Sequence, residues 1–132
     1  MKIFLASFLE VHNFGPGRVI GIANGNKPSH VKCEIIFKEL IPNADITKTY
    51  NKESAKNPKE ASVNFVNNFT KQLEKFYQDV KSEAEKNKVD PKEILPFKDG
   101  DTLASWERFC YSNYRGLIAP FLEKLGYEVF QK

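Results

Sequence analysis

A group of charged and aromatic residues in the last third of the chain has the side chains needed to hold an anion. Trp-Glu-Arg at 106–108 follows a short apolar run, and Asn-Tyr-Arg at 113–115 precedes an amphipathic segment. Arginine can bind a phosphate or carboxylate through two parallel hydrogen bonds, and the exposed amides that begin a helix also favour anions. Trp106 can stack on a base or a sugar. In the alternative interpretation, Glu107 and Arg115 form a salt bridge that holds the loop, and Trp106 packs in the core.

A second set of polar residues follows the first apolar run. The ordinary pKa of a histidine lies near neutrality, so His12 can act as a general base or bind phosphate, although a solvated surface histidine fits the same position. In a parallel sheet, we expect His12 and Arg18 to lie at the same edge as Trp106. Ser7 and Ser105 end their apolar runs, but neither stands in a Gly-x-Ser-x-Gly motif, so we assign no nucleophile.

These residues make up one candidate site, for which no catalytic residue is assigned. The candidate ligand-binding residues are Ser7, His12, Arg18, Trp106, Glu107, Arg108, Asn113, Tyr114 and Arg115. With two histidines, two cysteines and no ligand-spacing motif, the chain predicts no metal site and no cofactor. Asp99 and Asp101 have carboxylates that suit a hard cation, but Asp-Gly-Asp is also an ordinary loop before a strand, which is the interpretation we prefer.

The loop 109–114 supports a different function. It combines aromatic residues with neighbouring arginines, and Tyr, Trp and Arg are enriched in binding hot spots. The alternative is therefore a non-enzymatic protein–protein interaction module that uses this loop. The same side chains can stack nucleobases, but the 20 basic and 17 acidic residues are spread evenly along the chain, so we do not expect nucleic acid as the partner.

Short apolar runs bounded by turn residues predict the strands that must position these side chains. They cover Lys2 to Ser7, Arg18 to Ala23 and Thr102 to Trp106, with shorter extended pieces at 32–37 and 127–130. Little alternation of polarity along a strand is typical of parallel sheets that are buried on both faces. Before the second run, Gly-Pro-Gly at 15–17 suits a type II turn.

Helical spacing predicts one long amphipathic helix. Apolar residues recur every three or four positions from Ala61 to Ala84, and the opposite face carries charges of both signs. Asn57 and Pro58 form its start signal, because Asn caps helices and Pro is tolerated in the first turn.

Three shorter helical segments complete the pattern, at 43–50, from Asp90-Pro91, and at 117–125. The last is closed by Gly126, which suits a helix end. Pro120 lies inside this segment, so the helix either begins late, near Gly116, or bends.

Together these elements predict the α/β class, as a small Rossmann-like three-layer sandwich with a mostly parallel sheet of four to five strands and one long amphipathic helix. A chain of 132 residues predicts a single domain over residues 1–132. Its 41% hydrophobic residues predict a packed core. The first apolar run ends at Glu10 without a cleavage pattern and is too short to span a bilayer. Cys33 and Cys110 are typical of reduced thiols, so we expect a cytoplasmic protein without membrane contact, as a monomer or a homodimer.

The order of these segments resembles domain-of-unknown-function family 488. The matching segments are Leu5-Ala-Ser-Phe8, Val19-Ile-Gly-Ile-Ala23, Leu40-Ile-Pro42 with Tyr50, Phe65 to Phe76, and Leu103-Ala-Ser-Trp-Glu107 ahead of Arg115. The resemblance implies a small Rossmann-type α/β domain. Where the family has Cys-His-Arg, this chain has Asn-Tyr-Arg at 113–115, which keeps the arginine and lacks the thiol and the imidazole. The resemblance therefore implies a fold and no reaction.

The sequence as a whole predicts that an anionic polar small molecule, nucleotide-like or phosphorylated, binds where the strands end. The carboxyl ends of parallel strands are the usual ligand position in open α/β sheets. These residues fit an enzyme and a non-enzymatic binding protein equally well.

Overall fold

The computed structural model describes residues 1–7, 17–22, 35–105 and 114–131, with the side chains of Ser7, Tyr114, Arg115 and Gln131 outside this description. The strands are β1 (Lys2–Ser7), β2 (Val19–Gly21), β3 (Ile35–Ile36), β4 (Thr102–Ser105) and β5 (Glu128–Gln131). The helices are α1 (Ala44–Ser54), α2 (Pro58–Asn87), α3 (Pro91–Ile94) and α4 (Tyr114–Lys124), with a 3-10 turn at Lys38–Leu40.

The five strands form one sheet in the order β3-β2-β4-β1-β5, and every neighbouring pair is parallel. This confirms the expected α/β class with a parallel sheet of four to five strands and a long helix, and the architecture is consistent with a Rossmann-like three-layer fold. β1 has the bounds that the sequence predicts. β2 is shorter than predicted, because Arg18 and Ile22 flank it without joining the strand.

The long helix α2 begins at the predicted signal. The Asn57 side chain accepts a hydrogen bond from the backbone N–H of Glu60 at 3.2 Å, and Pro58 occupies the first helical position. The Glu60 carboxylate in turn accepts from the Asn57 amide at 3.3 Å. The helix ends at Lys88, which adopts a left-handed conformation with φ 55°. Capping at both ends defines the length of α2, because a helix end frays when its terminal N–H or C=O groups lack hydrogen-bond partners.

The hydrophobic core joins one face of the sheet to the helices. Leu5 and Leu103 lie side by side on β1 and β4, and Ile20 lies beside Leu103 on β2. All three are fully buried and belong to one cluster with α2 and α4, whose contributing residues are Phe65, Phe69, Ile118 and Leu122. Since side chains alternate between the faces of a strand, α2 and α4 cover the same face of the sheet.

Helix α1 packs along the start of α2. The rings of Tyr50 and Phe65 meet edge to face with centroids 5.7 Å apart. The Gln72 side chain bonds to backbone groups that precede α1, accepting from Asn43 N at 2.9 Å and donating to Ile41 O at 2.8 Å. These contacts hold the segment between β3 and α2 against the core.

Helix α4 accommodates a proline without beginning late. It starts at Tyr114, two positions before Gly116, and continues through Pro120 to Lys124. Pro120 lacks the N–H that would bond to the carbonyl of Gly116. Because Gly116 and Pro120 are both exposed, water can bind that carbonyl. The turn after the helix passes through Gly126, with φ 101°, as the sequence predicts.

None of the helices in the described ranges combines the length and the apolar character that crossing a bilayer requires.

Candidate functional site

The two central strands end beside each other. The paired residues of β1 and β4 run from Phe4 and Thr102 to Ser7 and Ser105. The segments that follow these strands therefore start from adjacent points on the carboxyl edge of the sheet. This confirms the common starting edge expected from the sequence.

The hydroxyl of Ser105 lies at this edge without a partner in the described part of the chain. The residue is 2% exposed, and no hydrogen bond links its hydroxyl to another described residue. The neighbouring positions on the two strands hold Ala6 and Ala104, both fully buried. A buried hydroxyl that loses its bonds to water costs about 1–3 kcal/mol.

The start of α4 also belongs to this edge. Only three residues, 125–127, separate the end of α4 at Lys124 from the start of β5, so the helix ends at the amino edge. A helix of 11 residues is about 16 Å long and leads back toward the carboxyl edge. The unpaired N–H groups of its first turn carry a partial positive charge.

The first turn of α4 differs in charge from the first turns of α1, α2 and α3. The acidic residues in the first turns of α1, α2 and α3 are Asp45, Glu60 and Glu93. The first turn of α4 has no acidic residue and contains Arg115. Because a positive residue is unfavourable at a helix N-terminus, the local electrostatics favour an added anion.

The described backbone therefore brings part of the predicted site to one edge. Ser7 ends β1 there, and Tyr114 and Arg115 begin α4. The predicted residues outside the described ranges are His12, Trp106, Glu107, Arg108 and Asn113. The aromatic loop 109–114 also lies outside them except for Tyr114, so the interaction-module hypothesis stays a prediction.

Arg18 lies at the opposite edge, so its expected position is wrong. In a parallel sheet the chain must return to the amino edge before each strand begins, and Arg18 directly precedes β2. Asp101 directly precedes β4, the neighbour of β2, and meets Arg18 there. Arg18 thus belongs to an amino-edge cluster and is separated from the carboxyl edge by the length of the strands.

The amino-edge cluster is centred on the carboxylate of Asp101, which is 1% exposed. Arg18 binds it through two nitrogens, Nη2 to Oδ2 at 2.7 Å and Nε to Oδ1 at 3.3 Å. The backbone N–H groups of Arg18 and Lys98 also donate to it, at 3.2 and 2.8 Å. Arg18 Nη2 donates further to the carbonyl of Pro96 at 2.8 Å. This bidentate geometry is the strongest form of an arginine–carboxylate pair.

The pKa of Asp101 reflects these bonds. Burial by itself would raise the pKa, but the hydrogen bonds from the Arg18 side chain and from the Lys98 and Arg18 amides, together with the Arg18 charge, lower it below the ordinary value. Asp101 is therefore ionised at neutral pH, and the ion pair is a structural one.

The backbone around this pair is closely packed. Gly17 N donates to Gly100 O at 3.0 Å, and a Cβ on Gly17 would lie 2.7 Å from the carbonyl carbon and oxygen of Gly100. The carboxylate of Asp99 accepts from the Lys2 N–H at 2.6 Å. The Asp-Gly-Asp segment thus connects the amino ends of β1, β2 and β4, which fits the preferred interpretation as a loop before a strand. No group of metal-binding side chains occurs among the described residues.

The amino edge has a further buried polar residue, Tyr127, which directly precedes β5. Burial raises its pKa to about 12, and the carboxylates of Asp90 and Asp101 act in the same direction. Its hydroxyl donates to the carbonyl of Lys92 at 3.4 Å.

A groove between α2 and α4 was not anticipated from the sequence. It has a volume of about 160 Å³, and Tyr77 and Lys124 lie at it, with the Lys124 ammonium 5.5 Å from the centre of the Tyr77 ring. Its other lining residues are Thr70, Leu73, Glu74, Gly116, Leu117, Pro120 and Phe121. The only sequence signal was the occurrence of Gly116 and Pro120, which lack long side chains, within α4.

No family model, curated protein or solved structure matches this chain. The resemblance to domain-of-unknown-function family 488 therefore stays a prediction.

Proposed function

We propose that this protein binds an anionic polar small molecule, nucleotide-like or phosphorylated, at the carboxyl edge of β1 and β4. Two features carry the proposal, and the strand pairing and the direction of α4 assign both of them to this edge. One is Ser105, whose buried hydroxyl bonds to no other described residue. The other is the first turn of α4, which lacks an acidic residue and contains Arg115.

The chemistry of these groups favours an anion over a neutral ligand. Backbone N–H groups at a helix start donate hydrogen bonds to phosphate or carboxylate oxygens, and the helix dipole adds a favourable charge interaction. A serine hydroxyl can donate a further bond. An arginine supplies the full positive charge, with a planar set of donors that matches a phosphate.

The edge itself favours ligand binding over a purely structural role. β1 and β4 are central strands of a parallel sheet, and ligands of open α/β proteins bind outside the carboxyl ends of such strands. At the amino edge, by contrast, the buried charges of the described residues already bond to one another.

The test is a thermal-shift screen with adenosine mono- and diphosphate, a sugar phosphate and inorganic phosphate, followed by calorimetric titration of any hit. We expect at least one phosphorylated compound to raise the melting temperature. In Arg115→Ala the affinity should fall by about tenfold or more, since hydrogen bonds to charged groups contribute about 1.5–3 kcal/mol.

The matched control is Lys124→Ala, which removes a positive charge from the last turn of the same helix. It should leave the ligand affinity unchanged, because Lys124 lies at the opposite end of α4. Flat melting curves across the panel, or equal losses of affinity in the two variants, would contradict an anion site at the start of α4.

A further inference from the structure

The groove between α2 and α4 has a largely apolar lining. Leu73 and Phe121 are each 5% exposed, and Leu117 is half-buried. The ring of Phe121 stacks on that of Phe76, with centroids 5.7 Å apart, which holds the two helices together at the groove. The groove volume of about 160 Å³ is close to that of a protein cavity that takes up benzene. The groove therefore has room for a hydrocarbon group of a few carbons.

The groove also offers two hydrogen-bond acceptors. Glu74 lines it from α2, and its exposed carboxylate forms no ion pair with another described residue. Gly116 and Pro120 line it from α4. Pro120 supplies no N–H to the Gly116 carbonyl, and helix carbonyls point toward the end of their helix, so this carbonyl faces along the groove toward Pro120. An ammonium, which has three N–H donors, complements these acceptors.

A positive charge lies at the same groove. The Lys124 ammonium is 5.5 Å from the centre of the Tyr77 ring, a position that attracts a cation to the ring face. Lys124 forms no ion pair with another described residue. Glu74 and Lys124 thus line one groove with opposite charges, and neither neutralises the other.

We propose that this groove binds a free α-amino acid with a branched aliphatic side chain, such as leucine. The ligand ammonium bonds to the Glu74 carboxylate and to the Gly116 carbonyl, and the ligand carboxylate bonds to the Lys124 ammonium. The ligand side chain packs on Leu73 and Phe121, where its removal from water is favourable.

Both charges of the ligand are needed for this match. A carboxylic acid without an amine would leave Glu74 unpaired, and its own negative charge would be repelled by that carboxylate. An alkylamine would leave Lys124 unpaired and would be repelled by it. A zwitterion satisfies both side chains at once, which is why the charge pattern selects an amino acid.

This site is different from the anion site proposed at the start of α4. The N–H groups that favour an anion point out of the first end of the helix, whereas the Gly116 carbonyl points in the opposite direction, into the groove. The amino acid therefore uses acceptors and a lysine that the anion site does not use.

The test titrates the protein with leucine and follows binding by saturation-transfer NMR. A ligand of about nine heavy atoms in an open groove should bind with a dissociation constant of about 1 mM. Isocaproate lacks the ammonium of leucine, and isoamylamine lacks its carboxylate. Each should bind about fivefold more weakly than leucine, because the groups that bind it are exposed.

Two substitutions separate the two charges. Glu74→Gln should weaken leucine about fivefold and leave isocaproate unchanged, since isocaproate has no ammonium. Lys124→Gln should weaken leucine by a similar factor and leave isoamylamine unchanged. A variant that had merely lost its fold would lose all three ligands together.

The matched controls are Lys75→Gln and Glu123→Gln. These residues are exposed neighbours of Glu74 and Lys124 in the sequence, but they do not line the groove. Both variants should bind leucine like the original protein.

Pro120→Ala tests the part played by the Gly116 carbonyl. The new N–H can bond to this carbonyl within the helix, so the carbonyl is no longer available to the ligand. Leucine affinity should fall about threefold and isocaproate affinity should stay the same, whereas the melting temperature should not fall, because alanine favours helix.

The absence of saturation transfer at about 10 mM leucine would overturn the proposal. So would equal affinities for leucine and its two analogues. Leucine affinities in Glu74→Gln and Lys124→Gln that match those of the control variants would also overturn it.

Discussion

The two ends of β4 carry buried polar residues with opposite surroundings. Asp101, directly before the strand, is 1% exposed and accepts hydrogen bonds from Arg18 and from two backbone N–H groups. Ser105, the last residue of the strand, is 2% exposed and bonds through its hydroxyl to no other described residue. The two residues are equally buried, but the carboxylate accepts several hydrogen bonds whereas the hydroxyl makes none with the described residues.

The difference suggests separate roles for the two ends of β4: the amino end stabilises the fold, and the carboxyl end is available to a ligand. The Asp101 carboxylate has its partners inside the protein, so it holds the strand ends together, and both of its oxygens already accept hydrogen bonds. A buried hydroxyl without a partner costs about 1–3 kcal/mol, and a ligand that supplies the missing bond recovers part of this cost. Substitutions at the amino edge should therefore change the free energy of unfolding, and those at the carboxyl edge should change ligand affinity.

The largest effect is expected for Asp101→Ala. It leaves Arg18 and two backbone N–H groups without their acceptor, so the free energy of unfolding should fall by about 3 kcal/mol. Urea unfolding followed by circular dichroism measures the change. Asp99→Ala is the matched control, because Asp99 is exposed and accepts one described bond, and it should cost less than about 1 kcal/mol. Equal costs for the two would show that the buried pair is not what stabilises this edge.

Acid should weaken the same contact. Since the pKa of Asp101 is lower in the folded protein than the ordinary 3.8, the ionised form is favoured by folding, and its contribution is present above that value. The contribution is lost as the pH falls through the folded pKa. The stability difference between the original protein and Asp101→Asn should be constant near neutrality and shrink below about pH 4. Unfolding curves at several pH values measure it, and a difference that grows in acid would reverse the assigned sign.

Gly17→Ala should destabilise the amino edge by steric conflict. The new Cβ would lie 2.7 Å from the Gly100 carbonyl, which is backbone and cannot rotate away. Overpacking of this kind costs about 1–3 kcal/mol. The melting temperature should fall, whereas the shift produced by the phosphorylated ligand should remain. A normal melting temperature with a lost ligand shift would place Gly17 in the binding site instead.

Ser105→Ala should have a small effect on stability. The Ser105 hydroxyl bonds to no other described residue, so its removal relieves a burial cost of about 1–3 kcal/mol. The small void that it leaves offsets part of this gain, so the net change in the free energy of unfolding should stay within about 1 kcal/mol. Ligand affinity should fall several-fold, as judged by calorimetric titration. If Ser105→Ala costs as much stability as Asp101→Ala, the two ends of β4 do not differ as described.

Arg115→Glu should raise stability while removing binding. A negative residue in the first turn of α4 complements the helix dipole, which contributes about 0.3–1 kcal/mol. Lys124→Glu, in the last turn of α4, is the matched control and should destabilise by a similar amount. A more stable Arg115→Glu that still binds phosphate would exclude this turn as the anion site.

Local patterns predicted the elements well where neighbouring residues decide the outcome. Asn57 and Pro58 begin α2 because capping involves the first turn only, and Gly126 ends the turn after α4 because its φ is positive. The extent of β2 was overestimated, since Arg18 was grouped with the apolar residues that follow it. The Arg18 guanidinium forms an ion pair with Asp101, which lies 83 positions further along the chain.

The edge at which β1 and β4 end was predicted in part. The meeting of Ser7 and Ser105 followed from expecting a parallel sheet, in which strand ends share an edge. Pairing of β1 directly with β4 depended on the strand order, which local patterns do not encode. The groove beside Tyr77 was missed because it arises where two helices that are distant in the sequence approach each other.

The sequence by itself determined the parallel α/β class, the single long helix and the types of side chain available for binding, because hydrophobic period and capping act over a few residues. The tertiary structure alone decided which charges were paired. By inserting β4 between β1 and β2, it brought Asp101 to Arg18 at one edge and Ser105 to Ser7 at the other. Whether a polar group stabilises the fold or is available to a ligand depends on its hydrogen-bond partners. Those partners can be distant in the chain, as Arg18 is from Asp101.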